Sequence, residues 1–210
     1  MNLANAFTDI VELIRPHLLA VALVAARIAP ATFLCPLFGG QAAPNAVRLS
    51  LCLGLSLHAH FAGAVSPIPG VDEDAFSVLG AFARELLCGA TIAFVASLPF
   101  DAARMGGRFL DTFRGANAEA SLPATGSREA ATGDLLYQLL CALAFAGPLY
   151  RMMATALLGS FRLAPLGLAG SFGDTAVLVE VALVRATSAL ATGLALGAPA
   201  AAVALLVDAG

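Results

Sequence analysis

The chain of 210 residues contains no lysine and no tryptophan, and all 11 of its basic residues are arginine. Charged residues are scarce at 12%, whereas an ordinary soluble domain has about 25%. Hydrophobic residues make up 60% of the chain, and its net charge of -3 leaves no basic face of the kind that binds nucleic acid. These deficits argue against a soluble domain and against a nucleic-acid partner, and they predict a membrane protein.

Sequence motifs for catalysis and metal binding are missing as well. The four cysteines form no C-x-x-C pair, and we interpret them as small buried hydrophobes. His58 and His60 are two residues apart and would not share a helix face, so a metal site from this pair is improbable. There is no G-x-S-x-G motif, no H-E-x-x-H motif and no pair of aspartates within an apolar helix. We therefore expect no enzyme activity, no metal and no cofactor.

Long apolar runs are what the chain has instead. Residues 49–71 and 186–207 carry no acidic or basic side chain apart from histidine over 23 and 22 residues, and a bilayer-spanning helix needs about 20. Pro16 is expected to begin the first helix, and the turn from Pro36 to Pro44 to fold the first two helices into an antiparallel hairpin. The pattern predicts an all-α, polytopic membrane protein with about five apolar helices, at 16–38, 46–66, 75–100, 133–158 and 175–207.

A polar segment separates the third and fourth apolar helices, because Pro99 is expected to end the third. Four charged residues at steps of three, four and three share one helix face. They are Asp101, Arg104, Arg108 and Asp111. Gly106 and Gly107 are expected to allow a bend, and Gly115 to begin a Gly-, Pro-, Ser- and Thr-rich loop. Because arginines concentrate in this segment, the positive-inside rule places it in the cytoplasm and the N-terminus outside.

Six further charged residues lie inside or beside the apolar helices. They are Arg27, Arg48, Arg84, Glu85, Glu180 and Arg185. Because a charge facing lipid is costly, each is expected to face protein, and we predict that all but Glu180 serve packing between subunits. For Arg48 and Glu180, near helix starts, a simple location at the membrane interface is an equally good interpretation.

Four sequence elements carry the pattern of a known family. They are Arg27-Ile28-Ala29-Pro30, the turn from Pro36 to Val47, the D-x-x-R-G-A element at 111–116 and the G-D-L-L-Y-Q-L element at 133–139. Together they resemble the SctT/FliR family of type III secretion export-gate subunits. The two central elements are the more specific and resemble the virulence branch, and the resemblance covers essentially the whole chain.

The resemblance implies a place in an assembly. Family members join the membrane proteins SctR and SctS in a helical export gate around a secretion pore, beside the switch protein SctU, and secreted proteins pass through it. This implies a multi-pass protein of the bacterial inner membrane, much of it raised above the bilayer plane within the assembly. The family's loop after the third apolar region contributes to a plug of the gate. The corresponding residues are Gly106, Gly107, Phe109, Asp111, Phe113, Arg114, Gly115, Ala116 and Asn117.

The chain departs from the family pattern in two places. Leu122-Pro123 stands where relatives carry Asp-Pro, and relatives continue beyond Gly210 into one more apolar helix. We expect residues 1–210 to form a single helical membrane domain that lacks this final helix. Within it, residues 101–132 would form the central polar segment and plug-like loop.

Other classes of function remain as alternatives to a non-enzymatic export-gate subunit. A small-molecule or ion transporter would use buried charges in broken helices as binding groups. However, no inverted repeat is evident, and the acidic residues do not cluster within apolar segments. An intramembrane enzyme lacks the motifs named above. The sequence therefore favours the export-gate subunit, with the transporter as the alternative.

Overall fold

The computed structural model describes residues 3–39, 43–63, 75–113, 131–166 and 172–208. These ranges contain six α-helices, a short 3-10 helix at Pro36–Phe38 and no strand. The helices are α1 (Leu3–Leu34), α2 (Asn45–Phe61), α3 (Ala75–Phe113), α4 (Ala131–Ala146), α5 (Leu149–Leu163) and α6 (Phe172–Asp208). The predicted all-α class is thus confirmed.

Three of the described helices are long and apolar enough to cross a bilayer, with candidate spans at Glu12–Leu34, Ala75–Thr112 and Val179–Pro199. The pair α4 and α5 would make a fourth span but is bent by 75°. Helix α2 has 17 residues and is only about 25 Å long, short of the ~30 Å hydrocarbon core. The run at 49–71 is therefore not one spanning helix, since α2 ends at Phe61 and Gly63 takes a left-handed φ of 69°.

The predicted hairpin of the first two helices is confirmed, but its boundaries differ. Helix α1 begins at Leu3, so Pro16 lies inside it rather than at its start. The residues directly before it include the good helix formers Glu12, Leu13 and Arg15, and a proline removes only one backbone hydrogen bond. Gly39 ends the 3-10 helix at a φ of 105°, and Pro44 precedes the first residue of α2. This short connection sets α2 antiparallel against α1.

The third and fourth predicted helices also end elsewhere. Helix α3 continues through Pro99 to Phe113, so the polar segment up to that residue is part of the same helix. Residues 101–105 are mostly Ala, Arg and Met, which favour helix strongly enough to continue past one proline. The segment predicted at 133–158 instead breaks at Gly147 and Pro148, where the low helix propensity of glycine adds to the backbone hydrogen bond that proline removes.

The chain divides into two compact units, one formed by Met1–Ala93 and Met152–Leu178, the other by Phe94–Arg151 and Val179–Gly210. The first unit has a buried core to which α1, α2, α3 and α5 contribute. Its members include Leu23, Val24, Ile28, Cys52, Ala93, Leu157 and Phe161. In the second unit, large apolar side chains such as Leu135 and Leu183 are each 62% exposed, as on a surface that meets lipid or other helices. The single-domain extent of 1–210 stays a prediction.

Candidate functional site

Arg27 of α1 is completely buried in the first unit, where four groups of the same chain surround its guanidinium. Its Nε donates a hydrogen bond to Glu85 Oε2 of α3 at 2.5 Å, and its NH2 donates to the carbonyl of Ala164 at 2.8 Å. NH1 lies 3.4 Å from the hydroxyl oxygen of Ser160, and the Phe161 ring centroid is 4.4 Å from the guanidinium carbon. Groups from two segments distant in sequence, one in α3 and one at residues 160–164, therefore meet one buried cation.

Close backbone contact makes this buried ion pair possible. Gly89 lies one turn after Glu85 on α3, and a Cβ at Gly89 would overlap the carbonyl of Arg27. Helix α3 therefore passes directly against the backbone of α1, which brings Glu85 within reach of Arg27. Removing one partner of a buried ion pair costs about 3–5 kcal/mol, because the other charge is left uncompensated. The sequence led us to expect that other subunits would meet this charge, whereas the structure places its partners within the chain.

The other predicted packing residues have different surroundings. Arg84 NH1 lies 3.8 Å from Glu85 Oε1 and donates a hydrogen bond to the carbonyl of Pro165. Arg48 Nε donates to the carbonyl of Ala43 at 2.9 Å, and its guanidinium lies 5.6 Å from the Phe33 ring centroid, so Arg48 ties together the turn between α1 and α2. Arg185 is exposed on α6 of the second unit. A role of these residues in subunit packing remains a prediction.

The second unit has its own charged cluster, which we call the charged junction: Arg104 and Asp111 of α3 with Thr132, Asp134 and Tyr137 of α4. Arg104 Nε lies 3.3 Å from Asp134 Oδ1, and its guanidinium stacks 4.1 Å from the Tyr137 ring centroid. Asp111 Oδ2 accepts a hydrogen bond from the backbone N–H of Thr132 at 2.9 Å. Both aspartates are nearly buried, with 5% and 3% of their surfaces exposed. Two members of the predicted charged stripe of α3, Arg104 and Asp111, thus contact the start of α4, whereas Asp101 and Arg108 are exposed.

Helix geometry explains why carboxylates gather here. Thr132 is the second residue of α4, so its N–H has no partner within the helix and is free to bind Asp111. Asp134 lies in the same first turn, where the helix dipole favours negative charge. Arg104, 3.3 Å away, offsets the negative charge of Asp134. The junction therefore holds the end of α3 against the beginning of α4, and with it both ends of residues 112–131.

Two glycines bring α3 and α4 into backbone contact beside the charged junction. A Cβ on Gly107 would lie 2.5 Å from the Cα of Gly133, and a Cβ on Gly133 would lie 2.8 Å from the carbonyl oxygen of Arg104. Neither position has room for a side chain. Gly107 was expected to allow a bend, but the structure uses it for close helix packing within a continuous α3.

Gly106 allows a second close backbone contact of α3, in this case with α6. A Cβ there would lie 3.0 Å from the carbonyl oxygen of Gly193, and a Cβ on Gly197 would lie 2.6 Å from Cδ1 of Phe109. Gly106, also expected to allow a bend, likewise lies within the continuous α3. Phe109, one of the residues that the family resemblance assigns to the plug, packs against Gly197.

The predicted gate residues therefore have several locations. Gly106, Gly107, Phe109 and Asp111 lie in α3, and Phe113 is its last residue. Arg114, Gly115, Ala116 and Asn117 lie outside the described residues. Their assignment to a plug stays a prediction.

Sequence reasoning missed several partners of these charges. Asp134 was quoted within a motif but not paired with Arg104, although an acidic residue in the first turn of a helix was a usable signal. Ser160, Phe161 and Ala164 gave no signal at all. Among the described residues, no group of three or more His, Cys, Asp and Glu side chains is placed to hold a metal ion. What the two clusters do physically is fix helices against one another.

Comparison with known proteins adds to this geometry. The family model described as "Bacterial export proteins, family 1" matches residues 18–210. The chain is also similar to two proteins named "Yop proteins translocation protein T", from Yersinia pestis and from Yersinia pseudotuberculosis serotype I (strain IP32953). It is 33% identical to each over 159 residues, which is 72% of this chain and 58% of the relative. The matched part thus spans less than two thirds of the length of these curated relatives.

Proposed function

We propose that this chain, which belongs to the family of bacterial export proteins, family 1, is a non-enzymatic export-gate subunit of a type III protein secretion system. Membership confirms the resemblance to SctT-type proteins found in the motifs. The observation that carries the proposal is the family match over residues 18–210, which includes both charged clusters, the second and third candidate spans, and the first candidate span from residue 18 onward. The similarity to proteins named for Yop translocation supports the virulence-type system.

The partners we propose are SctR, SctS and SctU, with secreted proteins in transit through the pore. The location we propose is the bacterial inner membrane, which the three apolar candidate spans support. Because Arg27 is neutralised within its own chain, we expect exposed apolar faces, rather than this buried charge, to supply most of the contact area. Leu135 and Leu183 lie on such faces in the second unit.

Copurification tests the proposed assembly directly. The chain is coexpressed with SctR and SctS from the same secretion locus, and one affinity tag is placed on this chain. We expect the three proteins to elute together at a fixed stoichiometry. A monodisperse chain that elutes alone and moves a solute across liposomes would instead establish the transporter.

We further propose that residues 101–132 help to close the pore. Support comes from the charged junction, because the bond between Asp111 and Thr132 keeps both ends of residues 112–131 together. The intervening sequence between Gly115 and Gly126 is rich in small residues, which suits a stopper that moves without repacking a core. A surface linker is the competing interpretation.

Deletion of residues 118–124 separates these interpretations. The charged junction lies outside the deletion, so the complex is expected to assemble at the wild-type level. Loss of a stopper would make the inner membrane leaky to small solutes, measured as uptake of a normally excluded dye. A matched variant replaces the same seven residues with glycine and serine, which keeps the length of the loop. It tests whether a loop of this length closes the pore without its native side chains. An assembled deletion complex with unchanged permeability would leave only the linker.

A further inference from the structure

A groove of about 840 Å³ lies in the second unit between α3, α4 and α6. Along α6 its lining extends from Arg185 to Leu196, which is about 16 Å, or three helical turns. A helix about 10 Å in diameter occupies on the order of 1,300 Å³ over that length. The groove therefore has the dimensions to receive most of the width of one further helix.

Much of the lining is apolar surface that the chain leaves uncovered. On α4 it includes Leu139 and Leu143, which are 51% and 58% exposed. On α3 and α6 it includes Ala103 and Ala189, whose small side chains allow a neighbouring helix to approach closely. A second helix packed here would cover the leucines and lie close to the alanines.

Three polar side chains follow one face of α6 within the groove. Arg185, Ser188 and Thr192 are spaced three and four residues apart, so they form a stripe about 10 Å long. A hydrocarbon chain offers nothing to these groups along this length. A helix carries side chains that can form hydrogen bonds with hydroxyl groups of a neighbouring helix. The stripe therefore favours a protein helix as the occupant.

Arg185 is the member of the stripe that most needs a partner. It is the one charged side chain among the described residues that line the groove. Within the described part of the chain its guanidinium makes no hydrogen bond and no ion pair, whereas Arg27 and Arg104 each pair with a carboxylate. Apolar surface laid over the groove would bury this cation without compensation, which is costly. A helix that brings a carboxylate to this level avoids that cost.

We propose that this groove binds one apolar helix of a neighbouring export-gate subunit, and that an aspartate or glutamate of this helix pairs with Arg185. The inference rests on the proposed function, because it requires partner subunits. It adds the face of the chain, the pairing residue and the chemistry of the partner. Arginine and a carboxylate join through two parallel hydrogen bonds, which would fix the register of the two helices.

Photocrosslinking identifies the occupant. A photoreactive amino acid replaces Leu143 in the full chain, which is coexpressed with SctR and SctS, and the crosslinked peptides are mapped by mass spectrometry. We expect adducts to one apolar segment of one subunit that contains an aspartate or glutamate. Phe145 is the matched control, because it is 52% exposed on the opposite face of α4 and does not line the groove. Adducts from Leu143 only to lipid, or only to a second copy of this chain, would overturn the proposal.

A charge swap tests the pairing. Arg185→Glu brings like charges together, so the yield of the mapped subunit copurified per chain should fall by about tenfold or more. Replacing the mapped carboxylate residue by arginine in this background should restore the yield, which a change in the partner could not do for a misfolded chain. Arg151→Glu, exposed in the same unit but outside the groove, should leave the yield unchanged. Wild-type yield for Arg185→Glu, or no restoration by the swap, would overturn the pairing.

The wild-type complex separates this proposal from the function on which it rests. A wild-type chain that copurifies with neither SctR nor SctS would contradict the export-gate function itself. If the wild-type complex forms but Leu143 reaches no partner helix, the export-gate function stands and only the groove proposal fails.

Discussion

The buried ion pair of Arg27 and Glu85 gives the sharpest prediction for stability. Glu85→Gln keeps the shape of the side chain but removes its charge, which leaves a cation buried against α3. Two hydrogen-bond acceptors would remain near Arg27, at Ala164 and Ser160, but neither carries a charge. We expect the free energy of unfolding to fall by about 3–5 kcal/mol. For a chain of this size that corresponds to a lower Tm by roughly 6–20 °C.

The assay is denaturant unfolding of the purified chain in micelles, followed by far-ultraviolet circular dichroism. The double variant Arg27→Met, Glu85→Leu removes both charges, and apolar groups of similar volume then fill the site. We expect it to lie within about 1 kcal/mol of the wild type, because no charge is left buried. Arg162→Ala, at an exposed site near the end of α5, is the control and should change stability by less than about 0.5 kcal/mol.

Two outcomes would refute this reasoning. Wild-type stability of Glu85→Gln would mean that Arg27 does not depend on this carboxylate. A double variant as unstable as the sum of its two single variants would mean that the pair has no specific coupling. Either result would favour the role first expected for Arg27, in which other subunits supply the partners of its charge.

Three further substitutions test the close contacts and the charged junction. Gly89→Ala should destabilise the chain by about 1–3 kcal/mol in the same unfolding assay, because the new methyl group overlaps the α1 backbone. Gly107→Ala should cost a similar amount by separating α3 from α4, whereas Gly80→Ala, on the same helix with open space around it, should be neutral or stabilising. Equal effects at all three glycines would refute the contacts. Asp134→Ala should lower secretion at equal protein level, because Arg104 loses its buried partner. The control Asp101→Ala, at an exposed position of α3, should leave secretion unchanged. Equal secretion by the two variants would refute a role for the charged junction.

The features that sequence predicted correctly depend on local chemistry. The hairpin of α1 and α2 follows from Pro36, Gly39 and Pro44, which act on the backbone within a few residues. The charged face of α3 follows from spacing alone. Apolar composition likewise predicts helices that face lipid or other helices.

The features that sequence missed depend on contacts between distant residues. Gly106 and Gly107 have low helix propensity and were interpreted as a bend, but packing against α4 and α6 decides their conformation. Glu85 is 58 residues from Arg27, and no helical period selects that pair. Spacing put Arg104 on a face but could not say that the face meets Asp134. A pattern along one chain identifies the face of a helix and not its neighbour.

Secretion by a deletion strain tests the central claim most directly. The gene for this chain is deleted in its own bacterium, and type III substrates in the culture medium are measured by immunoblot under inducing conditions. We predict that these substrates disappear from the medium and accumulate in the cells, that the wild-type gene restores them, and that a periplasmic protein exported by another route is unaffected. Secretion of the same substrates at the wild-type level by the deletion strain would contradict the account.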